Sequence, residues 1–396
     1  MRIYNTLTRE KEELIPQEEG HFKIYACGPT VYNYIHIGNA RPICVFEVLR
    51  RYLEYRGNKV TFVQNFTDID DKIIKKANEE GTDYLTVSKK YIEEYWKDAD
   101  GLNVGHATVH PLATENMDEI IHIIADLLEK GYAYVAENGD VYFRTKKFDE
   151  YGKLSHQPLD DLQSGARISV GEMKEDAMDF AVWKAAKEGE PYWEAPWSKG
   201  RPGWHIECSG ISMKYNGEYL DLHCGGVDNA FPHHTNEIAQ SESYLGHPWC
   251  PHWCHVAHLN TDHGKMSKSK GEFLTVSLLE EKGYDPLAYR FFCLQSHYRK
   301  SLVFTWENLD NATVAYNKLL ARIAALKDEG DVEQAAFDEY KAKFMAAMDN
   351  DLNTSMAVTV LYDVLKAKTN DKTKLALLDS FDTVLGLKLL EKAAEL

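Results

Sequence analysis

The stretch HFKIYACGPTVYNYIHIGNARPICVFEVLRRYLEYRGNKVTF, residues 21–62, decides the fold of the first part of this chain. Residues 21–28 alternate apolar and polar side chains and stop at a glycine, which is typical of a β-strand. Residues 41–57 place apolar side chains on one helical face, and we predict Pro42 in the first turn of that helix. A second strand is predicted over 59–70, so the order strand, loop, helix, strand indicates a βαβ unit and a parallel sheet.

A second set of elements in the same order lies far downstream. Residues 218–226 are a predicted strand that ends in glycines, and residues 255–260 are another predicted strand. Between them, residues 231–247 form a predicted helix with Pro232 at its start. Two such halves indicate an α/β fold with a doubly wound, Rossmann-like parallel sheet, whose ligand-binding crevice lies at the carboxyl ends of the strands.

A connective insertion separates the two halves, and a helical region follows them. The insertion contains a predicted hairpin with Asn138-Gly139 as its turn. From about Trp306 onward, helical periodicity predicts a C-terminal α-helical bundle. The predicted domains are the first half of the Rossmann-like domain (1–115), the connective insertion (116–200), the second half (201–262), a lysine- and serine-rich loop with a linker (263–305) and the helical bundle (306–396).

The composition narrows the class of protein. The chain has 396 residues, of which 44% are hydrophobic and 27% charged, as expected for a globular protein of more than one domain. No run of about 18 apolar residues and no secretory signal is found, so we expect a cytoplasmic protein without a membrane segment. The seven cysteines are no disulfide framework, and the net charge of -17 disfavours indiscriminate nucleic-acid binding but permits a local basic groove.

Four residues that are distant in the sequence form a candidate metal site. His233 and Glu237 lie four positions apart in the predicted second helix, so they share a face, although a surface pair is the commoner explanation of that spacing. Cys27 ends the first strand, and Cys208 lies just before the second half of the sheet. Two thiolates, one imidazole and one carboxylate at one crevice would suit zinc.

Two other stretches have alternative explanations. The run WCPHWCH (249–255) has ligand-like spacing, but we favour a loop that enters a strand with packed tryptophans. The residues concerned are Cys250, His252, Cys254 and His255. The acidic run at 67–71 is compatible with a magnesium site and equally with the cap of a helix.

Two short motifs identify a family. Residues 36–39 read HIGN and residues 265–269 read KMSKS, and with these the chain resembles the class I aminoacyl-tRNA synthetases. The narrower resemblance, over essentially the whole chain, is to the cysteine–tRNA ligase family. It is carried by CGPTVYNYIHIGNARP, NFTDIDDKIIKKA, GRPGWHIECS, FPHHTNEIAQS, KMSKSKG and, in the helical region, MDNDLNTSMAVTVLYDV. Asn39 stands in place of the last histidine of the first motif, and Thr235 where the family often has glutamate.

The resemblance implies an activity, a cofactor and a set of site residues. The activity would be the ATP-dependent ligation of L-cysteine to tRNA(Cys) through a cysteinyl-adenylate, with Mg²⁺ on the ATP. One Zn²⁺ per chain would select the cysteine thiolate, and its ligands in the family fall on Cys27, Cys208, His233 and Glu237. The residues implied for cysteine are Cys27, Thr67 and Trp204, those for ATP are His36, Gly38, Asn39, Gly225, Gly226, Asp228 and Lys268, and those for catalysis are His36, Asn39, Lys265 and Lys268. For Trp204, core packing explains the residue equally well.

Alternatives to this activity remain at the sequence level. Members of the family typically continue into a further C-terminal module that helps to read the anticodon, whereas this sequence ends at Leu396, so tRNA selection is the step in question. A paralogue that forms the same adenylate but transfers cysteine to a small-molecule amine is the second hypothesis. A non-catalytic regulator or zinc-binding module is the third, and we expect a monomer in each case.

Overall fold

The structure is a computed structural model, and it describes residues 1–157, 161, 173–261, 264–265 and 273–396. Its strands are β1 (Arg2–Asn5), β2 (Glu10–Glu13), β3 (His21–Ala26), β4 (Lys59–Gln64), β5 (Ala133–Val135), β6 (Val141–Phe143), β7 (Phe180–Ala185), β8 (Trp193–Glu194), β9 (Lys199–Pro202), β10 (Leu222–Gly226), β11 (Trp253–Val256), β12 (Leu259–Thr261), β13 (Gly264–Lys265) and β14 (Leu302–Val303). Its α-helices are α1 (Ile37–Tyr55), α2 (Asp71–Glu80), α3 (Tyr84–Gly101), α4 (Met117–Glu129), α5 (Trp204–Asn216), α6 (Thr235–Leu245), α7 (Val276–Glu281), α8 (Pro286–Leu294), α9 (Trp306–Ala324), α10 (Gln334–Asp349), α11 (Thr354–Lys366), α12 (Asp371–Leu385) and α13 (Leu389–Ala394).

A four-stranded parallel sheet lies at the centre of the catalytic half, in the order β11-β10-β3-β4. The chain builds it twice by the same connection, β3–α1–β4 and then β10–α6–β11. Helix α1 packs because Phe46, Leu49 and Leu53, which the periodicity placed on one face, are all buried. The doubly wound α/β sheet predicted from the sequence is therefore confirmed, and its strands end together at one edge.

The helices α1 and α6 do not begin at the positions that Pro42 and Pro232 indicated. Helix α1 starts at Ile37 because the His36 side chain accepts a hydrogen bond from the Gly38 N–H, so Pro42 lies in the second turn and not in the first. A proline there removes one main-chain donor without ending the helix. Helix α6 starts at Thr235, three residues after Pro232, whose peptide bond with Phe231 is cis.

The connective insertion folds around an antiparallel sheet in the order β5-β6-β7-β9-β8. Strands β5 and β6 form the predicted hairpin, and Gly139 takes the left-handed φ of +93° that its turn requires. This sheet packs against α4 and α5 through a cluster that includes Ile120, Val182 and Ile206. The insertion thus rests on the helix that precedes the second half of the central sheet.

The last part of the chain is helical, as predicted. Helices α9 to α13 pack on α1 and on the central sheet through a shared core that includes Tyr316, Phe344 and Phe381. Along the chain, the strands of a small sheet in the order β13-β12-β14 come after the central sheet and before these helices. In the part of the chain that the structure describes, no helix has the length and apolar character needed to cross a membrane. The domain boundaries given above stay a prediction.

Candidate active site

The four candidate metal donors meet at the carboxyl edge of the central sheet. Cys27 follows the last residue of β3, Cys208 lies on α5, and Glu237 lies on α6 one turn after His233. The Cys27 Sγ is 3.1 Å from the His233 Nε2 and 3.5 Å from the Glu237 Oε2. The His233 Nε2 is 3.2 Å from the Glu237 Oε2. One donor atom from each of the four residues lies within 4.8 Å of the others.

Burial shifts the pKa of each of these donors toward the uncharged form. Cys208, His233 and Glu237 are at most 1% exposed. Burial raises the pKa of the Cys27 and Cys208 thiols and of the Glu237 carboxyl, and it lowers the pKa of the His233 imidazole. A soft divalent cation bound among them would deprotonate both thiols, because thiolates and not thiols are metal ligands. The chemistry of this donor set fits zinc.

Two histidines that the sequence did not single out lie beside this set. The His223 Nε2 is 2.9 Å from the Glu237 Oε1, and the His234 Nε2 is 3.9 Å from the Glu237 Oε2. Together with Cys27 and Glu237 they form a second donor group, which overlaps the first at those two residues. The group with two sulfurs is the better match to zinc. The histidine doublet His233-His234 could have indicated the second donor group, but the sequence alone placed only His233 in the metal site.

A stack of aromatic rings fixes the His233 imidazole. The Trp204 ring lies parallel to it, with centroids 3.5 Å apart and an interplanar angle of 10°. The His205 Nδ1 is 2.8 Å from the His233 Nδ1, so the second ring nitrogen is also held. Burial lowers the pKa of His205 to about 3, which keeps that partner uncharged. Trp204 thus contacts the metal donors from the side of the crevice.

A crevice of about 470 Å³ lies along the edge of the sheet, and of the four donors Cys27 lines it, whereas Cys208, His233 and Glu237 lie behind its lining. The predicted site residues that line it are Cys27, His36, Gly38, Asn39, Trp204, Gly225, Gly226 and Asp228. Gly225 is required sterically, since a Cβ there would lie 2.5 Å from the His234 Cε1. His36, Gly38 and Asn39 bring the start of α1, and with it the positive end of the helix dipole, to the same space, an arrangement that favours phosphate.

Thr67 has a different environment from the one predicted for a pocket residue. Its side chain is fully buried, and its hydroxyl donates to the Glu207 Oε2 over 3.2 Å. Among the described residues that line the crevice, Thr67 is not included. Glu207 was not predicted as a site residue, and burial raises the pKa of its carboxyl. A role for Thr67 in binding cysteine stays a prediction.

The KMSKS motif is described only at its first residue. The main chain of Lys265 belongs to β13, which pairs with β12, whereas Lys268 lies outside the described residues. The chain that follows the motif returns to the start of α1, where the Ile37 N–H donates to the Leu274 carbonyl oxygen over 3.0 Å. The chain after the motif is therefore anchored next to His36, at Leu274 and Thr275.

The structure agrees with a packed loop at residues 249–255 and with a helix cap in the acidic run at residues 67–71. Trp249 and Trp253 are fully buried, and the Cys250 thiol donates to the His252 carbonyl oxygen over 3.3 Å. Within the described part of the chain, these cysteines belong to no group of metal donors. In the acidic run, Asp70 is the N-cap of α2 and accepts a hydrogen bond from the Lys72 N–H.

Comparison with known proteins places this fold and site in a class. A family described as the tRNA synthetases class I (C) catalytic domain matches residues 13–314, and a DALR domain matches residues 343–390. A Mycobacterium tuberculosis methionyl-tRNA synthetase bound by methionyl-adenylate has the same fold at a TM-score of 0.64 and 12% identity, over 94% of this chain and 90% of that one. A LeuRS–tRNA–LeuAMS complex of Agrobacterium radiobacter has it at 0.66 and 11% identity, over 97% and 85%. The fold is that of these synthetases, and the family match places the chain among the class I tRNA synthetases.

Sequence relatives narrow the class to one family. A cysteine–tRNA ligase of Bacillus cytotoxicus is 54% identical over 92% of this chain and 80% of the relative. A cysteine–tRNA ligase of Caldicellulosiruptor saccharolyticus is 52% identical over the same shares. The chain belongs to the cysteine–tRNA ligase family, which confirms both the family resemblance and the prediction of an ATP-dependent ligase.

Proposed function

We propose that this enzyme joins L-cysteine to tRNA(Cys) in two steps through a cysteinyl-adenylate, with a zinc ion that recognises the cysteine thiolate. The observation that supports the proposal best is the convergence of Cys27, Cys208, His233 and Glu237 within 4.8 Å at the end of the crevice that HIGN also lines. A sulfur-selective site and a phosphate site then adjoin the same space, as the joining of cysteine to ATP requires.

The four donors fit zinc because they combine two sulfurs, one imidazole and one carboxylate in a buried pocket. When bound there, zinc would supply a soft Lewis acid that prefers a thiolate to the hydroxyl of serine. Such a preference is needed, because an apolar pocket separates near-isosteres by only about 10–200-fold. Trp204, which covers the His233 ring, would form the wall against which the short cysteine side chain packs.

The phosphates of ATP lie in this proposal at the start of α1. The positive end of the α1 dipole, together with the side chains of His36 and Asn39, would hold phosphate oxygens, and the amide of Asn39 can donate as the usual histidine does. Gly225 and Gly226 let the main chain approach the nucleoside, and Asp228 would accept from the ribose. Mg²⁺ would accompany the ATP.

The first step breaks the bond between the α- and β-phosphates. The cysteine carboxylate attacks the α-phosphorus, pyrophosphate leaves, and a mixed anhydride forms. Lys265 and Lys268 would neutralise the negative charge that grows on the α-phosphate, and preorganised cations of this kind act mainly on the transition state. In the second step a terminal ribose hydroxyl of the tRNA attacks the anhydride, an ester forms and AMP leaves.

No step requires a covalent bond to the enzyme, so Cys27 and Cys208 serve as ligands and not as nucleophiles. The relatives described above are tRNA ligases, which favours tRNA over a small amine as the acceptor. The hypothesis of a paralogue with an amine acceptor has no support from these comparisons. The cytoplasm, where all three substrates meet, stays the predicted location, and a monomer the predicted state.

A charging assay tests the proposal. Purified enzyme with cysteine, ATP and Mg²⁺ is expected to exchange pyrophosphate into ATP and to esterify tRNA(Cys) but not a tRNA with an altered anticodon. Serine at the same concentration is expected to support neither reaction. Cysteine-dependent exchange without charging would transfer the proposal to an amine acceptor, and the absence of exchange would end it.

A further inference from the structure

A buried carboxylate lies where the helical bundle meets the catalytic half. Asp351 follows the end of α10 and is fully buried, and it takes the left-handed φ of +59°. The next residue, Leu352, is also left-handed, with φ of +50°. Two successive non-glycine residues in this region cost free energy, so surrounding contacts must hold them.

Those contacts come from one loop and from the first strand. The Asp351 Oδ2 accepts from the Arg299 Nε over 2.6 Å, and the Oδ1 accepts from the Tyr298 hydroxyl. The Oδ1 also accepts from the Tyr4 N–H over 2.8 Å. The His297 Nε2 is 2.8 Å from the Asp351 carbonyl oxygen. Residues 297–299 are therefore all bonded to a single residue of the bundle.

The other side of this loop is held by the helix that carries HIGN. The fully buried Arg41 on α1 donates from Nη2 to the carbonyl oxygens of His297 and Lys300, over 3.1 and 2.8 Å. Its Nη1 donates to the Ala257 carbonyl oxygen over 2.9 Å, next to the end of β11. The loop is thus fixed between Arg41 and Asp351.

The loop leads directly into the small sheet that carries the first lysine of KMSKS. The Leu302 N–H donates to the His258 carbonyl oxygen over 3.0 Å, and the Phe304 N–H donates to the Asn260 carbonyl oxygen. These bonds align β14 with β12, and β12 pairs in turn with β13, where Asn260 faces Lys265. A displacement of the loop would therefore shift the main chain of Lys265.

We propose that Asp351 is a positioning residue for adenylate formation, acting through the 297–300 loop and strands β14 and β12 on the placement of Lys265. The inference rests on the proposed function, which assigns the phosphate chemistry to that lysine. The candidate metal donors lie just after β3, on α5, just before α6 and on α6, and none of them contacts the loop through a described hydrogen bond. Loss of Asp351 should therefore affect the rate of activation and spare the binding of cysteine.

The test compares Asp351→Asn with a matched neighbour, Asp349→Asn. Asp349 also ties the bundle to the catalytic half, since its Oδ1 accepts from the Tyr52 hydroxyl over 2.6 Å, but its partners lie on α1 and not in the loop. We expect Asp351→Asn to lower the kcat of cysteine-dependent pyrophosphate exchange about tenfold, because a 1 Å misplacement costs up to about 100-fold. In Asp351→Asn the KM for cysteine should change by less than about twofold. In Asp349→Asn both kcat and KM should change by less than about twofold.

A third variant covers the case in which Asp351→Asn does not fold. Arg299→Met removes the arginine that donates to the Asp351 carboxylate, and it should give the same loss of kcat. In the double variant Asp351→Asn/Arg299→Met the two losses should not add. An unchanged kcat in Asp351→Asn and Arg299→Met, or an equal loss in Asp349→Asn, overturns the inference while the proposed function stands. A wild-type enzyme without exchange activity overturns both.

Discussion

Replacing Cys208 by serine changes one proposed metal donor and little else. The side chain is fully buried on α5, and serine keeps its shape apart from the shorter bond to oxygen. Zinc sites of four ligands bind with roughly 10–16 kcal/mol of apparent free energy. Divided evenly, that is about 2.5–4 kcal/mol for each ligand, so we expect affinity to fall by between about 70-fold and about 850-fold. Activation of cysteine should fall with it.

The assay measures both quantities on the same preparations. Metal affinity comes from competition with a chromogenic chelator, and activation from cysteine-dependent pyrophosphate exchange. Cys224→Ser is the matched control, because Cys224 is also a fully buried thiol, on β10, and belongs to no donor group among the described residues. A Cys208→Ser enzyme that retains one metal ion at wild-type affinity, or full activation without metal, would show that the ligand assignment is wrong.

Three further changes test other parts of the structure. Arg41→Met should lower the free energy of unfolding, measured in urea, by at least about 3 kcal/mol. The reason is that four carbonyl groups lose their donor, at roughly 1 kcal/mol or more each. A loss under about 1 kcal/mol would contradict this expectation. Gly28→Ala would place a Cβ 1.5 Å from the Asn65 carbonyl oxygen. Ordinary overpacking costs about 1–3 kcal/mol, and we expect this variant to lose more than that, which a lower melting temperature would show. A variant with wild-type stability would refute the contact. Lys268→Ala should reduce the kcat of pyrophosphate exchange far more than cysteine affinity, and equal losses would mean that the lysine serves only ground-state binding.

The order of elements was predictable because it depends on local patterns. Alternation over 21–28 and the helical face with Phe46 and Leu49 were enough to indicate the parallel sheet. The start of α1 was not, because histidine is not among the preferred N-cap residues and Pro42 suggested a later start. A tertiary contact from Leu274 to the Ile37 N–H supports the earlier start, and no local pattern shows such a contact.

The convergence of the four candidate metal donors was predictable, and their surroundings were not. Cys27 and Glu237 were found because strand ends and helix faces are properties of the sequence, and parallel strands end at a common edge. The contacts of His223 and His205 depend on how rings pack between elements that are distant in the chain. The same holds for the Thr67 hydroxyl, which the fold commits to a buried carboxylate.

The cap at the start of α1 also decides which nitrogen of the HIGN histidine carries its hydrogen. The His36 Nδ1 accepts from the Gly38 N–H over 2.9 Å, so in the neutral ring the lone pair is on Nδ1 and the hydrogen is on Nε2. The ring therefore offers its remaining nitrogen as a donor, which is the polarity that an anionic oxygen needs. One hydrogen bond of the helix start thus selects the tautomer before any nucleotide binds.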